Sequence, residues 1–177
     1  CCVLYVEANI QECEAIVYYL YQNHDTLSLF LEQYQEWRNR MRQLGDPFRT
    51  CEQVLHEQRE SKSQREALLD ALLLYQEQNI PCPFLHKHAC IVYEVRPFVC
   101  ANHYITTPSE WCSAREWCRP LNPNRPKVYK TTIDDEIHDL SFYYQKLSRP
   151  IITFMPTTVY QIINRGFVYL STLTGLE

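Results

Sequence analysis

The chain has 177 residues and a formal charge of −4 at neutral pH, and 46% of its residues are hydrophobic. This length suits one domain with its own core, and the charge argues against a surface that tracks nucleic-acid phosphates. No apolar run approaches the ~18 residues that a membrane span requires. Only 3 residues are glycine, and turn-rich sheet folds need more, so we predict a mainly α fold in a single domain covering residues 1–177.

The chain begins with a short extended segment that gives way to helical periodicity. Residues 3–6 are rich in β-branched and aromatic side chains and predict a brief strand. From about Ile10 the pattern is helical, with Ile16, Tyr19 and Leu20 spaced for one face. The first regular helix is therefore expected to begin near Ile10.

Three further helices are predicted before residue 79. Apolar residues at intervals of three and four predict a helix over residues 27–44, and Gly45 followed by Asp46 and Pro47 is typical of a helix end. Residues 51–60 and 64–78 are rich in Glu, Gln and Arg, which are good helix formers.

The residue composition and periodicity change after Asn79. Residues 80–108 carry four prolines and no helical period, which predicts an irregular but ordered loop region. Ser109 and Thr132 are suitable N-caps for helices over residues 109–118 and 132–147. Pro156 can open a last helix in its first turn.

Cysteine is the unusual residue of this composition, with nine in the chain. Disulfides, a metal site and scattered core packing could each explain that number. The odd count and the lack of a signal-peptide pattern argue against a secreted disulfide scaffold. Cys13 and Cys51 stand alone within helical patterns and are predicted to be packing residues. Because the chain begins at Cys1 without a methionine, we expect the natural protein to extend upstream.

Three of these cysteines, Cys82, Cys90 and Cys100, lie within 19 residues of the proline-rich region. Thiolates held in rigid loops can converge on one tetrahedral zinc or on an iron–sulfur cluster. Arg96 lies between two of them, and a guanidinium there could offset the negative charge of a metal–thiolate centre. The alternative is that these cysteines are small buried residues of a loop.

The same residues resemble a family of zinc- or iron-chelating proteins named for its CxxCxxCC motif and also called YkgJ-like. The block Cys82-Pro83-Phe84-Leu85 reproduces the family's CPFL. The family's second block, C-x-[IV]-Y-E-x-R-P-x-x-C, is matched by Cys90, Tyr93, Glu94, Arg96, Pro97 and Cys100. Cys1 and Cys2 would be the end of the opening motif. One departure is Ala101, where the family usually has arginine.

The resemblance implies a ligand set and a role. The candidate metal ligands are Cys1, Cys2, Cys82, Cys90 and Cys100, and Arg96 and Tyr93 are assigned to cofactor binding beside them. Two upstream cysteines implied by the motif would bring the thiols to seven, which is too many for one mononuclear zinc. Zinc, iron and an iron–sulfur cluster all stay open as the cofactor.

The expected function is therefore that of a cytoplasmic metal-binding protein in which the metal locks loop 80–104 to the N-terminal cysteines. The expected partners are a metal ion and, as a second candidate, another protein, with neither nucleic acid nor membrane. An enzyme is the rival interpretation, because a flagellin lysine N-methylase resembles this family in its cysteine motifs. The chain shows no methyl-donor motif, so no catalytic residue is assigned.

Overall fold

The computed structural model describes residues 2–3, 5–44, 74–102, 104–105, 128–129 and 152–174. Cys1 lies outside these ranges. So do three of the predicted helices, those over residues 51–60, 109–118 and 132–147, and most of the helix predicted over 64–78. Of that last segment, residues 74–77 are helical.

The described residues are mainly helical, as the composition predicts. The long elements are α1 (Ile10–Gln22), α2 (His24–Gln43), α4 (Met155–Arg165) and α5 (Phe167–Thr174), and a short helix α3 spans Phe98–Asn102. Three antiparallel pairs of short strands accompany them: β1 (Glu7–Asn9) with β6 (Ile152–Phe154), β2 (Leu85–His86) with β3 (Ala89–Cys90), and β4 (Tyr104–Ile105) with β5 (Val128–Tyr129). A 3₁₀ turn spans Tyr93–Val95.

The predicted start of α1 at Ile10 is confirmed, and a capping box explains it. The Asn9 side chain accepts a hydrogen bond from the Glu12 backbone N–H at 2.9 Å, and the Glu12 carboxylate accepts one from the Asn9 N–H at 2.9 Å. Two donors that a helix start leaves unpaired are thereby satisfied. Ile16 and Leu20 on the predicted face are fully buried.

The strand predicted over residues 3–6 is wrong, since the strand in this region is β1. Ala8 of β1 pairs with Thr153 of β6, and Thr153 also donates from its hydroxyl to the Ala8 carbonyl at 3.4 Å. The position of this strand is set by a partner near the other end of the sequence. Local β-propensity therefore does not locate it.

The second predicted helix is confirmed as α2, although it begins three residues earlier than expected. Its apolar stripe is buried at Phe30, Tyr34, Trp37 and Met41. The earlier start places Asp25 in the first turn, where a carboxylate complements the helix dipole. The predicted stop at Gly45 lies outside the described residues.

Aromatic rings hold the N-terminal helices to the C-terminal part of the chain. Phe154 stacks on Tyr5 with ring centroids 4.3 Å apart and on Trp37 at 5.6 Å. Tyr34 of α2 stacks on Tyr160 of α4 at 4.2 Å. Aromatic pairs of this kind add about 0.5–1.5 kcal/mol each beyond the burial of their area. The cluster thus packs α2 and the segment before β1 against β6 and α4.

Pro156 lies in the first turn of α4, as predicted. The helix ends at Gly166, whose φ of 55° and ψ of −134° suit glycine alone among the common residues. Its N–H donates to the Ile162 carbonyl at 2.8 Å. The helix that follows, α5, was not predicted from the sequence.

The region expected to be an irregular loop contains more regular structure than predicted. β2 and β3 form a hairpin whose two central residues, Lys87 and His88, both have positive φ. Such turns usually carry Asn-Gly or Asp-Gly, and that signal is missing here. Helix α3 follows Pro97 directly, where proline leaves a helix start undisturbed. Among the described helices, none has the length and apolar character needed to cross a bilayer.

Candidate metal centre

Four cysteines from distant parts of the chain line one cavity of about 360 Å³. Cys2 comes from the N-terminal turn, Cys82 from the segment before β2, Cys90 from β3 and Cys100 from α3. The remaining wall is largely apolar and includes Tyr5, Val6, Phe84, Val92, Pro97 and Met155. Four of the five predicted ligands therefore border the same space, and the fifth, Cys1, lies outside the described residues.

The N-terminal turn is tied directly to the proline-rich segment. The backbone N–H of Cys82 donates to the carbonyl of Cys2 at 2.6 Å. The Cys82 carbonyl in turn accepts from the Leu85 N–H at 2.9 Å, which closes a turn through Pro83 and Phe84. The backbone around two of the candidate ligands is thus held by hydrogen bonds that need no metal.

Helix α2 supplies the surface on which this turn rests. The ring of Phe84 stacks on Phe30 with centroids 4.3 Å apart and planes within 3° of parallel. The side-chain amide of Gln33, one helical turn further, donates to the carbonyls of Pro83 at 3.3 Å and Leu85 at 2.8 Å. An apolar contact and a polar contact together fix where Cys82 lies.

We expect Gln33→Glu to destabilise the metal-free protein by about 2 kcal/mol or more, because a carboxylate cannot donate to the two carbonyls that Gln33 binds. Urea denaturation measures the free energy of unfolding. Gln35→Glu is the matched control, since it adds the same charge to an exposed position of the same helix. Equal stabilities of the two variants would contradict the contact.

Cys100 is held by the backbone of α3. Its N–H donates to the Pro97 carbonyl at 2.9 Å, and that carbonyl also accepts from Ala101 at 3.0 Å. The Phe98 N–H, which no intrahelical carbonyl can satisfy, donates to Glu12 at 2.7 Å. Helix α1 therefore fixes the start of the helix that carries Cys100.

The environment keeps the thiols protonated when no cation is bound. Burial raises the pKa of Cys82 above its ordinary value, raises that of Cys100 to about 12, and also raises that of Cys90. The neighbouring thiols raise each of these pKa values further, as two thiolates side by side repel. A divalent cation would reverse this balance, because it replaces the protons and attracts all the thiolates together.

Arg96 and Tyr93 form one unit at the edge of the cavity. The Arg96 guanidinium lies 3.6 Å from the centroid of the Tyr93 ring, a cation–π contact. Its charge lowers the pKa of Cys90 and Cys100, against the larger effect of burial. The Arg96 Nε is buried without a hydrogen-bond partner among the described residues. A negatively charged metal–thiolate centre would supply the counter-charge that this guanidinium lacks.

Thiol groups are suitable ligands for zinc or iron, but the cysteines that line the cavity are not yet close enough together to coordinate one ion. Within the described ranges, no group of three or more His, Cys, Asp or Glu side chains has the spacing of a formed metal site. The five cysteines described there, Cys2, Cys13, Cys82, Cys90 and Cys100, are free thiols. Soft thiolates are the ligands that zinc and iron–sulfur centres prefer. The four that line the cavity would have to come closer together to hold a metal.

Several residues outside the proposed ligand set also bear on the site. Cys13 is fully buried in the core, which confirms its packing role. The two histidines that stand between Cys82 and Cys90 in the sequence, His86 and His88, do not line the cavity, and His88 is exposed. The roles of Glu12 and Gln33 in holding the cavity walls were not predicted from the sequence. The spacing of Asn9 and Glu12 does indicate a helix cap, but nothing local to either residue indicates its distant partner.

Comparison of the chain with protein-family models, with curated proteins and with solved structures finds no match.

Proposed function

We propose that this protein binds zinc or an iron centre through clustered cysteine thiolates in a single domain. The observation that carries the proposal is that Cys2, Cys82, Cys90 and Cys100 all border one cavity although they are far apart in sequence. Four thiols that border one cavity, with no disulfide among them, are a donor set for a soft or borderline metal ion.

The chain's own residues would divide the work. Cys2, Cys82, Cys90 and Cys100 would hold the metal, with Cys1 as a further candidate. Arg96, oriented by Tyr93, would offset the excess negative charge. When bound, the metal would supply a crosslink between the N-terminus, the β2–β3 hairpin and α3. Free thiols next to one another persist in reducing compartments, which supports a cytoplasmic location.

Metal analysis of anaerobically purified protein tests the proposal. We expect a stoichiometric amount of zinc or iron by elemental analysis. The visible spectrum separates the two, because sulfur-to-iron charge transfer colours the protein brown whereas zinc leaves it colourless. A protein that carries only traces of both metals, and takes up neither when reduced and offered them, would contradict the proposal.

Thiol counting under denaturing conditions adds an independent readout. A metal site predicts that nearly all nine cysteines react once the metal is chelated. A disulfide-stapled protein would instead leave pairs of cysteines unreactive until a reductant is added. The enzyme interpretation stays a prediction from the family resemblance.

A further inference from the structure

The Glu12 side chain binds backbone groups at the start of α1 and at the start of α3. One carboxylate oxygen accepts from the Asn9 N–H at 2.9 Å, and the other accepts from the Phe98 N–H at 2.7 Å. The second contact spans 86 residues of sequence. Each oxygen thus has its own backbone donor, and the carboxylate bridges two helix starts.

We propose that Glu12 is a positioning residue for Cys100: by fixing the first turn of α3, it sets the direction from which the Cys100 thiol faces the cavity. The inference rests on the proposed metal-binding function, and it assigns to Glu12 a role that a helix cap alone does not have.

The shortness of α3 makes such an anchor necessary. The helix has five residues, far fewer than a helix needs to be stable by itself in water. Its axis is therefore set by what holds its ends. Pro97 precedes it and is buried, and Phe98 donates to Glu12, while Cys100 lies only two residues further along the same turn. A shift of that first turn would move the Cys100 sulfur with it.

The rigidity of Glu12 itself supports the role. The backbone N–H of Asn9 holds one carboxylate oxygen of Glu12, which orients the other oxygen towards the Phe98 N–H. Groups that orient a metal ligand through hydrogen bonds typically change metal affinity by about 10–100-fold when they are removed.

Removing the Glu12 carboxylate has opposite expected effects on metal affinity, depending on whether its negative charge or its positioning of Cys100 matters more. The negative charge of Glu12 raises the pKa of Cys100 and would repel a thiolate centre with an excess of negative charge. If only charge mattered, Glu12→Gln would tighten metal binding. If Glu12 positions Cys100, the same substitution weakens binding, because one amide oxygen cannot accept from both backbone donors and the amide NH₂ faces the other.

The test measures Co²⁺ binding to reduced, metal-free protein by absorbance titration. For Glu12→Gln we expect an affinity about 10–100-fold lower than that of the wild type. We also expect a weaker sulfur-to-cobalt band per bound ion, because Cys100 no longer contributes fully.

Two controls separate positioning from general stability and from charge. Glu14→Gln removes one charge from an exposed position of the same helix. Asn9→Ala removes the acceptor for the Glu12 N–H and lowers the melting temperature, but leaves the Glu12 contact with Phe98 in place. Both controls should keep the Co²⁺ affinity within about twofold of the wild type and keep the intensity of its band.

The outcomes are distinct. Equal or tighter binding in Glu12→Gln, or equal losses in Glu12→Gln and Asn9→Ala, would overturn the positioning role and leave the proposed function intact. A wild-type protein that takes up no Co²⁺ would overturn the positioning role, and joint absence of native zinc and iron would overturn the proposed function as well.

Discussion

Cys82→Ser is expected to lower the affinity of the proposed site for Zn²⁺ or Co²⁺ by about 100-fold or more. Structural zinc sites contribute roughly 10–16 kcal/mol in total, so one of four thiolates accounts for several kcal/mol. A serine hydroxyl stays protonated at neutral pH and does not replace a thiolate ligand. The backbone of Cys82 is already held, by the Cys2 carbonyl on one side and by the turn to Leu85 on the other.

Two measurements check this result. Elemental analysis gives the metal content after purification, and a Co²⁺ titration gives the affinity. Added Zn²⁺ should raise the melting temperature of the wild-type protein, since a ligand that binds only the folded state stabilises it. That shift should largely disappear in Cys82→Ser.

Cys13→Ala is the matched control, because Cys13 is fully buried in the core and does not line the cavity. It removes a thiol and some packing but no ligand, so the protein should lose some stability and keep its metal. If Cys82→Ser kept the wild-type affinity, Cys82 would not be a ligand. If Cys13→Ala lost the metal as well, global instability would be the cause of both results.

An element of the fold could be predicted from the sequence when the residues that determine it lie close together in the chain. Helix α1 begins where an Asn9–Glu12 capping box and a periodic apolar face coincide, and both signals lie within a few residues. The start of α4 at Pro156 is equally local. In contrast, β1 exists because β6 pairs with it, and the β2–β3 hairpin turns through Lys87 and His88, whose positive φ values the sequence does not signal.

The same division holds for the candidate site. The spacing of Cys82, Cys90 and Cys100 was enough to predict them as candidate ligands, because residue type and spacing are given directly by the sequence. The side chains that hold them in place were not visible. Gln33 and Glu12 act on backbone groups 50 to 86 residues away, and a backbone carbonyl or N–H carries no sequence signature. Such contacts become apparent only when the fold is known.

The metal-free protein is expected to lose more than about 4 kcal/mol of stability between pH 8 and pH 11, and the metal-bound protein much less. Burial raises the pKa of Cys13, Cys82, Cys90 and Cys100 in the folded state above the ordinary thiol value. The stability that this provides is fully present below the unfolded thiol pKa, near 9.0, and is lost as the pH rises towards the folded values. Each unit of pH in that window removes about 1.4 kcal/mol for each of the deeply buried thiols Cys13, Cys82 and Cys100, and less for the half-exposed Cys90.

Urea denaturation at pH 8, 9, 10 and 11 under reducing conditions, with and without bound Zn²⁺, measures the two slopes. All other groups are common to the two forms, so the difference between the slopes isolates the thiols that bind the metal. In the metal-bound form the ligand thiols are already deprotonated, and among the shifted thiols only Cys13 should still contribute. Parallel slopes would mean that the thiols bordering the cavity stay protonated in the presence of Zn²⁺, and thus that they do not hold it.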